Sequence, residues 1–350
     1  MNLDDRAHFE HLDQQNMLAE IDQLPGYLET AWKKGLLLHL PDWKGIERVV
    51  LAGMGGSAIA ADLLAAYLHP TCKLPIHVHR DYGAPAWATG PETLLIASSH
   101  SGNTEETLDS FETGIKNKCH VLAIGTGGSL AQRASQVKAP IWIFEHNGQP
   151  RSAIGHSFGM LLAVLTRLGL IHDPSNELVA TLAEMRKQKK LFAPHIPAST
   201  NPAKRLAGQL VGRWINMIGS EVLAPVARRW KGQFNELAKA GAGFDCLPEA
   251  DHNSLAGLTK PAGTLDHTVT IFLNAGSYHA RNQIRMKLTQ KAYMLAGSNT
   301  NDYKAPGDGP LAQQWSAVHF GDYTAYYLAM AYGEDPTPVL PLQEFKQQLG

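Results

Sequence analysis

Residues 49–68 read VVLAGMGGSAIAADLLAAYL, and the order of residue types along them decides the fold class. Val49 to Leu51 are apolar and partly β-branched, as in a buried strand, while from Ala58 to Leu68 alanine and leucine dominate, as in a helix. Between them lie Gly53, Gly55, Gly56 and Ser57. A strand that turns through glycines into a helix leaves unpaired N–H groups and the positive end of the helix dipole at one spot, which is an anion site. Three kinds of loop share this plan. A P-loop needs Gly-Lys-Ser/Thr, and no lysine occurs between Lys44 and Lys73, so it is excluded. A Rossmann dinucleotide fingerprint stays open, because Gly53, Gly55 and Ala58 satisfy G-x-G-x-x-A and Asp81 follows a second strand-like run. A smaller sugar-phosphate site also stays open, with Ser57 adding a hydroxyl to the backbone donors.

Further apolar runs at 76–79 (IHVH), 93–99 (TLLIASS), 120–125 (HVLAIG) and 140–145 (PIWIFE) alternate with helix-like segments. This alternation predicts an α/β protein built of βαβ units, with a mostly parallel sheet flanked by helices. A helical lead-in over 1–40 precedes a first subdomain over 41–171, which the helix-like run 155–170 closes. A connector helix and loop follow over 172–200. In a second subdomain, over 201–335, INMIGSEVLAPVARRW (215–230) repeats the strand, Gly-Ser, helix order of the opening stretch, so two similar halves are expected. NTNDYKAPGDGP (299–310) reads as a loop and AVHFGDYTAYYLAMAYG (317–333) as a packed helix. The C-terminal segment 336–350 carries Lys346.

A chain of 350 residues, 44% hydrophobic and 18% charged, has the material for a full core and for two domains. Its net charge of −1 gives no electrostatic footprint for nucleic acid or an anionic membrane, and neither partner is expected. The polar, acidic start MNLDDRAHFEHLDQQNM has the character of neither a signal nor a transit peptide, and a cytoplasmic location is expected. Cys72, Cys119 and Cys246 are odd in number and far apart, which argues against a disulfide framework or a cysteine zinc site.

The stretch ASSHSGNTEETL (97–108) sets Ser99, Ser101 and Thr104 around Gly102 and Asn103 just before a helix. Clustered hydroxyls and N–H groups at a helix start can wrap a phosphate without lysine or arginine, although the same run alone is an ordinary cap. Two such loops at the ends of parallel strands favour a ligand, since open α/β sheets bind there. Arg151, in GQPRSAIGH (148–156), follows the last strand-like run of this domain, where a guanidinium can meet a phosphate or sugar oxygen.

Together these segments resemble the sugar isomerase (SIS) domain family, whose members bind phosphosugars through an S-x-S-G-N-T loop, here Ser99 to Thr104. The resemblance extends to the bifunctional phosphoglucose/phosphomannose isomerases. They combine GMGGS (here Gly53 to Ser57), S-x-S-G-N-T, Pro-Arg (Pro150-Arg151), RWKGQxNE (Arg229 to Glu236), HN (within DHNS, Asp251 to Ser254) and a C-terminal lysine (Lys346). The match spans nearly the whole chain. It implies two SIS-type subdomains and a phosphate held by Ser57, Ser99, Ser101 and Thr104 with help from the backbone of Gly55 and Gly56. It further implies Arg151 beside the reacting carbons, Glu236 as base, His252 as the ring-opening group and Lys346 as the family's lysine. In that family the histidine comes from the neighbouring subunit of a homodimer, so a homodimer with His252 supplied across the interface is expected, acting on hexose 6-phosphates.

The chemistry of the residues agrees. Exchanging an aldose and a ketose phosphate moves a proton between C1 and C2 through an enediol, which needs a carboxylate-sized base. Opening the sugar ring needs a group that titrates near neutrality. A fixed cation steadies the enediolate. No cofactor is called for. His77 and His79 alternate on one strand, but no carboxylate or cysteine completes a metal set, so no metal is expected. Two rivals are a phosphosugar-binding SIS regulator without catalysis and a Rossmann-type enzyme gripping a ribose through Asp81. His100 departs from the tyrosine-like residue of the family loop, and Thr337 lies near the region where the family reads C2.

Overall fold

The computed structural model describes residues 2–349 and forms two compact units, one of Gln23–Ser175 and the other of the chain before and after it. In chain order the elements begin with α1 (Arg6–Leu12) and α2 (Met17–Gly35), the second of which crosses from one unit into the other.

The unit of Gln23–Ser175 continues with β1 (Arg48–Ala52), α3 (Gly55–Leu68), β2 (Ile76–His79), β3 (Thr93–Ser99), α4 (Glu105–Lys116), β4 (His120–Gly125), α5 (Gly128–Gln136), β5 (Ile141–Ile143) and α6 (Ile154–Arg167). Its five strands are parallel in the order β2-β1-β3-β4-β5, in register through pairs such as Val49 with Ile76 and Arg48 with Thr93. Every residue of β3 is buried, as expected of a central strand covered on both faces. Ile154 to Leu165 of α6 are buried without a break. That is possible because α6 meets the α2 backbone through glycines: a Cβ at Gly155 would lie 2.9 Å from the Leu28 nitrogen, and one at Gly159 2.9 Å from the Leu28 oxygen.

The other unit holds α7 (Ser175–Phe192), α8 (Pro202–Leu210), β6 (Trp214–Ser220), α9 (Ala224–Glu236), β7 (Ala242–Leu247), β8 (Thr268–Asn274), α10 (Ala280–Leu295), β9 (Asn299–Lys304), α11 (Pro310–Tyr332) and α12 (Leu340–Leu349). Its strands are parallel in the order β7-β6-β8-β9. In both sheets the first strand sits between the second and the third, so the two halves share a topology, as the repeated strand, Gly-Ser, helix order suggested. Helix α11 is buried from Leu311 to Ala331, a helix with no solvent face. Two of its polar side chains are tied to neighbouring elements: Gln314 Nε2 donates to the Val222 carbonyl (2.9 Å), and Asp322 meets Arg229.

The segment 299–310 differs from expectation, since its first half is strand β9. Its polar residues hid it. They suit an edge position, where Asn301 Nδ2 donates to Gln209 Oε1 (2.5 Å) and Asn274 Nδ2 to Asp302, while Tyr303 stacks on Phe320 with ring centroids 4.4 Å apart. The opposite edge strand, β7 (AGFDCL), also has no alternating pattern to announce it. All three cysteines are free. Among the described residues no helix is long and apolar enough to cross a membrane.

Candidate active site

In the first unit the strand order reverses between β1 and β3, and the crevice beyond the carboxyl ends of such strands is where open α/β sheets take ligands. Helices α3, α4 and α5 start there, after β1, β3 and β4, and none of the three has a side-chain bond at its N-cap residue (Met54, Thr104 and Gly127). At α3 and α4 first-turn N–H groups are thus left for another acceptor, whereas at α5 the Ser129 N–H goes to Asn103 Oδ1 and the Leu130 N–H to the Gly102 carbonyl. Helix α8 shows the contrast, for there Asn201 caps both Ala203 and Lys204.

Glycines draw the loops together. Gly55 has φ +48°, and a Cβ on Gly56 would lie 2.5 Å from the Pro150 carbonyl oxygen, so the β1–α3 turn sits directly on the 3-10 turn Pro150–Ser152 that carries Arg151. A Cβ on Gly53 would meet the Ser98 oxygen at 2.8 Å and the Ser57 Cβ at 3.2 Å, which brings Ser57 to the end of β3. Ser57 and Arg151 are both buried, and the Arg151 guanidinium lies 3.4 Å from Gln149 Oε1.

The loop after β3 is braced from within. Ser99 Oγ lies 2.9 Å from Thr104 Oγ1 and accepts the Gly102 N–H at 3.1 Å. Ser101 Oγ accepts the Asn103 N–H (3.2 Å), and Asn103 Oδ1 accepts the Ser129 N–H at the start of α5 (2.9 Å). Gly102 has φ +69°, and a Cβ there would overlap the Gly127 carbonyl, so only glycine lets the loops after β3 and β4 touch. Ser99 is buried, Thr104 half-buried and Ser101 exposed. The hydroxyls of Ser99, Ser101 and Thr104 all take part in this bracing, and Ser101 is the exposed one of the three.

His100 of this loop meets His146 through a hydrogen bond between Nε2 and Nδ1 of 2.9 Å. The His146 ring meets His156 and Tyr27 edge-on, at centroid separations of 5.8 and 5.3 Å, and Phe144 stacks on His156 at 4.8 Å. His146 and His156 flank Arg151 in sequence. Among the described residues no three His, Cys, Asp or Glu side chains gather as a metal site.

The second unit treats its own strand reversal, between β6 and β8, differently. Glu221, at φ +44°, accepts the His279 N–H at 2.9 Å and the Asn282 amide at 2.7 Å, so a carboxylate of the chain occupies the start of α10. The Ser220 N–H goes to Tyr278 Oη (3.1 Å) and its hydroxyl to the Leu247 carbonyl (3.0 Å). The Gly-Ser repeat is therefore present in topology, with its donors consumed.

The other expected residues stand on three elements of this unit. Glu236 is the last residue of α9 and is half-buried. That helix is fixed to α11 by the buried Arg229–Asp322 pair and by the Trp230 indole N–H on the Ala317 carbonyl (2.9 Å), with Trp230 lying against Gly321. His252 is exposed at the end of the 3-10 turn Glu249–His252. Its neighbour Asp251 ties that turn to α10 through Arg285 (2.9 Å) and Thr289 (2.6 Å). Lys346 lies on α12, where no residue is buried.

Residues 199–349 match the bacterial phospho-glucose isomerase C-terminal SIS domain. A bifunctional phosphoglucose/phosphomannose isomerase of Caldicellulosiruptor bescii is 34% identical to the chain, over 95% of it and 98% of the relative. One of Aquifex aeolicus is 31% identical, over 92% and 95%. The crystal structure of a hypothetical protein from Thermus thermophilus superposes with a TM-score of 0.75 over 98% of this chain and 93% of that one, at 18% identity, which speaks for the fold. With identity above 30% sustained over nearly its full length, and with the loops of its first sheet built as described, the chain belongs to the family of bifunctional phosphoglucose/phosphomannose isomerases.

Proposed function

We propose that this protein interconverts glucose 6-phosphate, mannose 6-phosphate or both with fructose 6-phosphate, by proton transfer between C1 and C2 through an enediol. The observation that carries this reading is the loop Ser99–Thr104, whose hydroxyls stand by two helix starts, those of α3 and α4, without side-chain caps at the reversal point of one sheet. Such a site suits a phosphate bound by neutral donors. Ser57, Ser99, Ser101 and Thr104 hold the phosphate, with help from the backbone of Gly55 and Gly56.

Glu236 takes the proton from one carbon and returns it to the next. The enediolate that forms is steadied by Arg151, whose buried guanidinium keeps its charge in a setting where water screens it little. His252 serves ring opening, and its exposure at the end of a turn suits a histidine handed to a second copy of the chain in a homodimer. Lys346, on a helix none of whose residues is buried, closes the set.

The deciding experiment is turnover of fructose 6-phosphate in the presence of a chelator, with the two aldose phosphates resolved as products. Both products are expected. Tight phosphosugar binding with no turnover would instead mark a regulator.

A further inference from the structure

We propose that Lys239 is a positioning residue for the proton transfer, holding the backbone of Glu236 in place against the segment that leads to Lys346; the inference rests on the reading of Glu236 as the base. The Lys239 Nζ donates to three backbone carbonyls, those of Glu236 (2.8 Å), Leu237 (3.2 Å) and Asp335 (2.8 Å). An ammonium group carries three donors, so the bracket has one for each carbonyl. Asp335 stands between α11 and α12, and its Oδ1 accepts the Thr337 N–H at 2.9 Å. One side chain thus ties the end of α9 to a turn 96 residues further along the chain.

The end of α9 is where such a tie acts on the base. The last carbonyls of a helix find no helical N–H, and a cation beside them also meets the negative end of the helix dipole. The Leu237 N–H serves the Gln233 carbonyl (2.9 Å) and the Ala240 N–H the Phe234 carbonyl (3.0 Å), while the carbonyl of Glu236 itself is met by Lys239. Asn235 Nδ2 closes the turn on the Ala240 carbonyl at 2.7 Å. Lys239 stands at φ +54°, in the left-handed region where glycine or asparagine is at ease after a helix. Glycine there would relieve the backbone but could not reach Asp335. A reacting group misplaced by about 1 Å loses about 10²-fold in rate, so a bracket on the backbone of the base acts on the chemical step.

The test is steady-state turnover of fructose 6-phosphate, unlabelled and deuterated at C1, by the whole protein carrying Lys239→Met, Lys239→Gly or Lys239→Arg, with Glu236→Gln alongside and an unfolding curve for each. Methionine keeps the stem and loses the donors, and glycine loses them while suiting φ +54°. In both, kcat is expected to fall about ten-fold or more while KM changes by less than about two-fold, and the isotope effect on kcat should rise as proton transfer slows. Arginine, which has N–H donors and no acceptor, should recover most of the rate. A lowered unfolding midpoint with kcat per folded molecule unchanged would make Lys239 a helix cap alone and overturn the proposal. So would a loss in the arginine variant equal to that in the methionine one. Full turnover by Glu236→Gln would overturn the reading of the base and this inference together, whereas its loss beside normal turnover in the Lys239 variants overturns this inference alone.

Discussion

Glu221 Oε1 accepts the backbone N–H of His279 at 2.9 Å, so the second sheet fills its own anion position with a carboxylate while the equivalent helix starts of the first have no side-chain bond from their N-cap residues. A carboxylate at a helix start is worth about 1 kcal/mol through hydrogen bonds and the helix dipole. Glu221→Ala is expected to lower unfolding free energy by about that amount, read as a shifted urea midpoint with unchanged slope. A midpoint equal to the wild type would mean that the cap contributes nothing.

At Gly102 the loops after β3 and β4 leave no room for a Cβ, because the Gly127 carbonyl stands in its place. Alanine there must hold φ +69°, which costs roughly 1–2 kcal/mol, and must also push back the Gly127 carbonyl. The strain falls on the loop proposed to hold the phosphate. Gly102→Ala should therefore raise KM for fructose 6-phosphate by about ten-fold or more. A variant with unchanged KM would detach this loop from substrate binding.

Arg229 and Asp322 form a two-point ion pair, Nε to Oδ1 at 3.2 Å and Nη2 to Oδ2 at 2.8 Å, with side chains 4% and 3% exposed. Removing one partner strands a buried charge, at a cost of about 3–5 kcal/mol. Asp322→Ala is expected to show that loss in denaturant unfolding. The pair also anchors the helix that ends in Glu236, so kcat should fall more than KM rises in whatever fraction stays folded. Stability within about 1 kcal/mol of wild type would sink this account.

Glu236→Gln removes the proposed base while keeping the volume of the side chain. Loss of general base catalysis lowers kcat by about 10²–10⁴-fold. Phosphosugar affinity should persist, since the loops proposed to hold the phosphate lie in the other unit. A regulator without catalysis would keep its ligand response in this variant, and a Rossmann-type enzyme would be indifferent to it.

The parts of the fold that read clearly in the sequence are those whose side chains sit in one unmixed environment. The runs at 93–99 and 120–125 lie in the middle of their sheet and are largely buried, so their apolar character is nearly unbroken and their strands fall where expected. Edge strands β7 and β9 carry no such mark, because one side of each meets solvent and hydrogen bonds replace apolar contact. In the loop Ser99–Thr104 the glycine was legible because close approach to the Gly127 carbonyl and φ +69° force it there. Glu221 was not, since a carboxylate that caps a helix in space lies 58 residues from the N–H it accepts and leaves no local pattern. The pairing of His100 with His146 was hidden for the same reason, spanning 46 residues.

His319 supplies a pH test independent of catalysis. It is fully buried on α11, its Nε2–H donates to the Ile21 carbonyl (3.0 Å), and the Tyr323 ring lies 4.9 Å away. Burial depresses it from 6.5 to about 4, and the nearby charge of Lys189 acts in the same direction. The folded protein therefore holds the ring neutral while the unfolded chain takes up a proton below pH 6.5. Stability contributed by this residue is complete above about 6.5, falls by about 1.4 kcal/mol per pH unit as the solution is acidified, and levels off below about 4, a loss of roughly 3 kcal/mol in all. Other groups titrate in the same window, so the comparison is with His319→Gln, which keeps an amide donor for the Ile21 carbonyl and has no proton to gain. Urea unfolding at about pH 7.5, 6 and 5 should show the wild type losing stability faster than the variant on acidification. Parallel curves would mean that the buried ring is protonated as readily in the folded state as in the unfolded one.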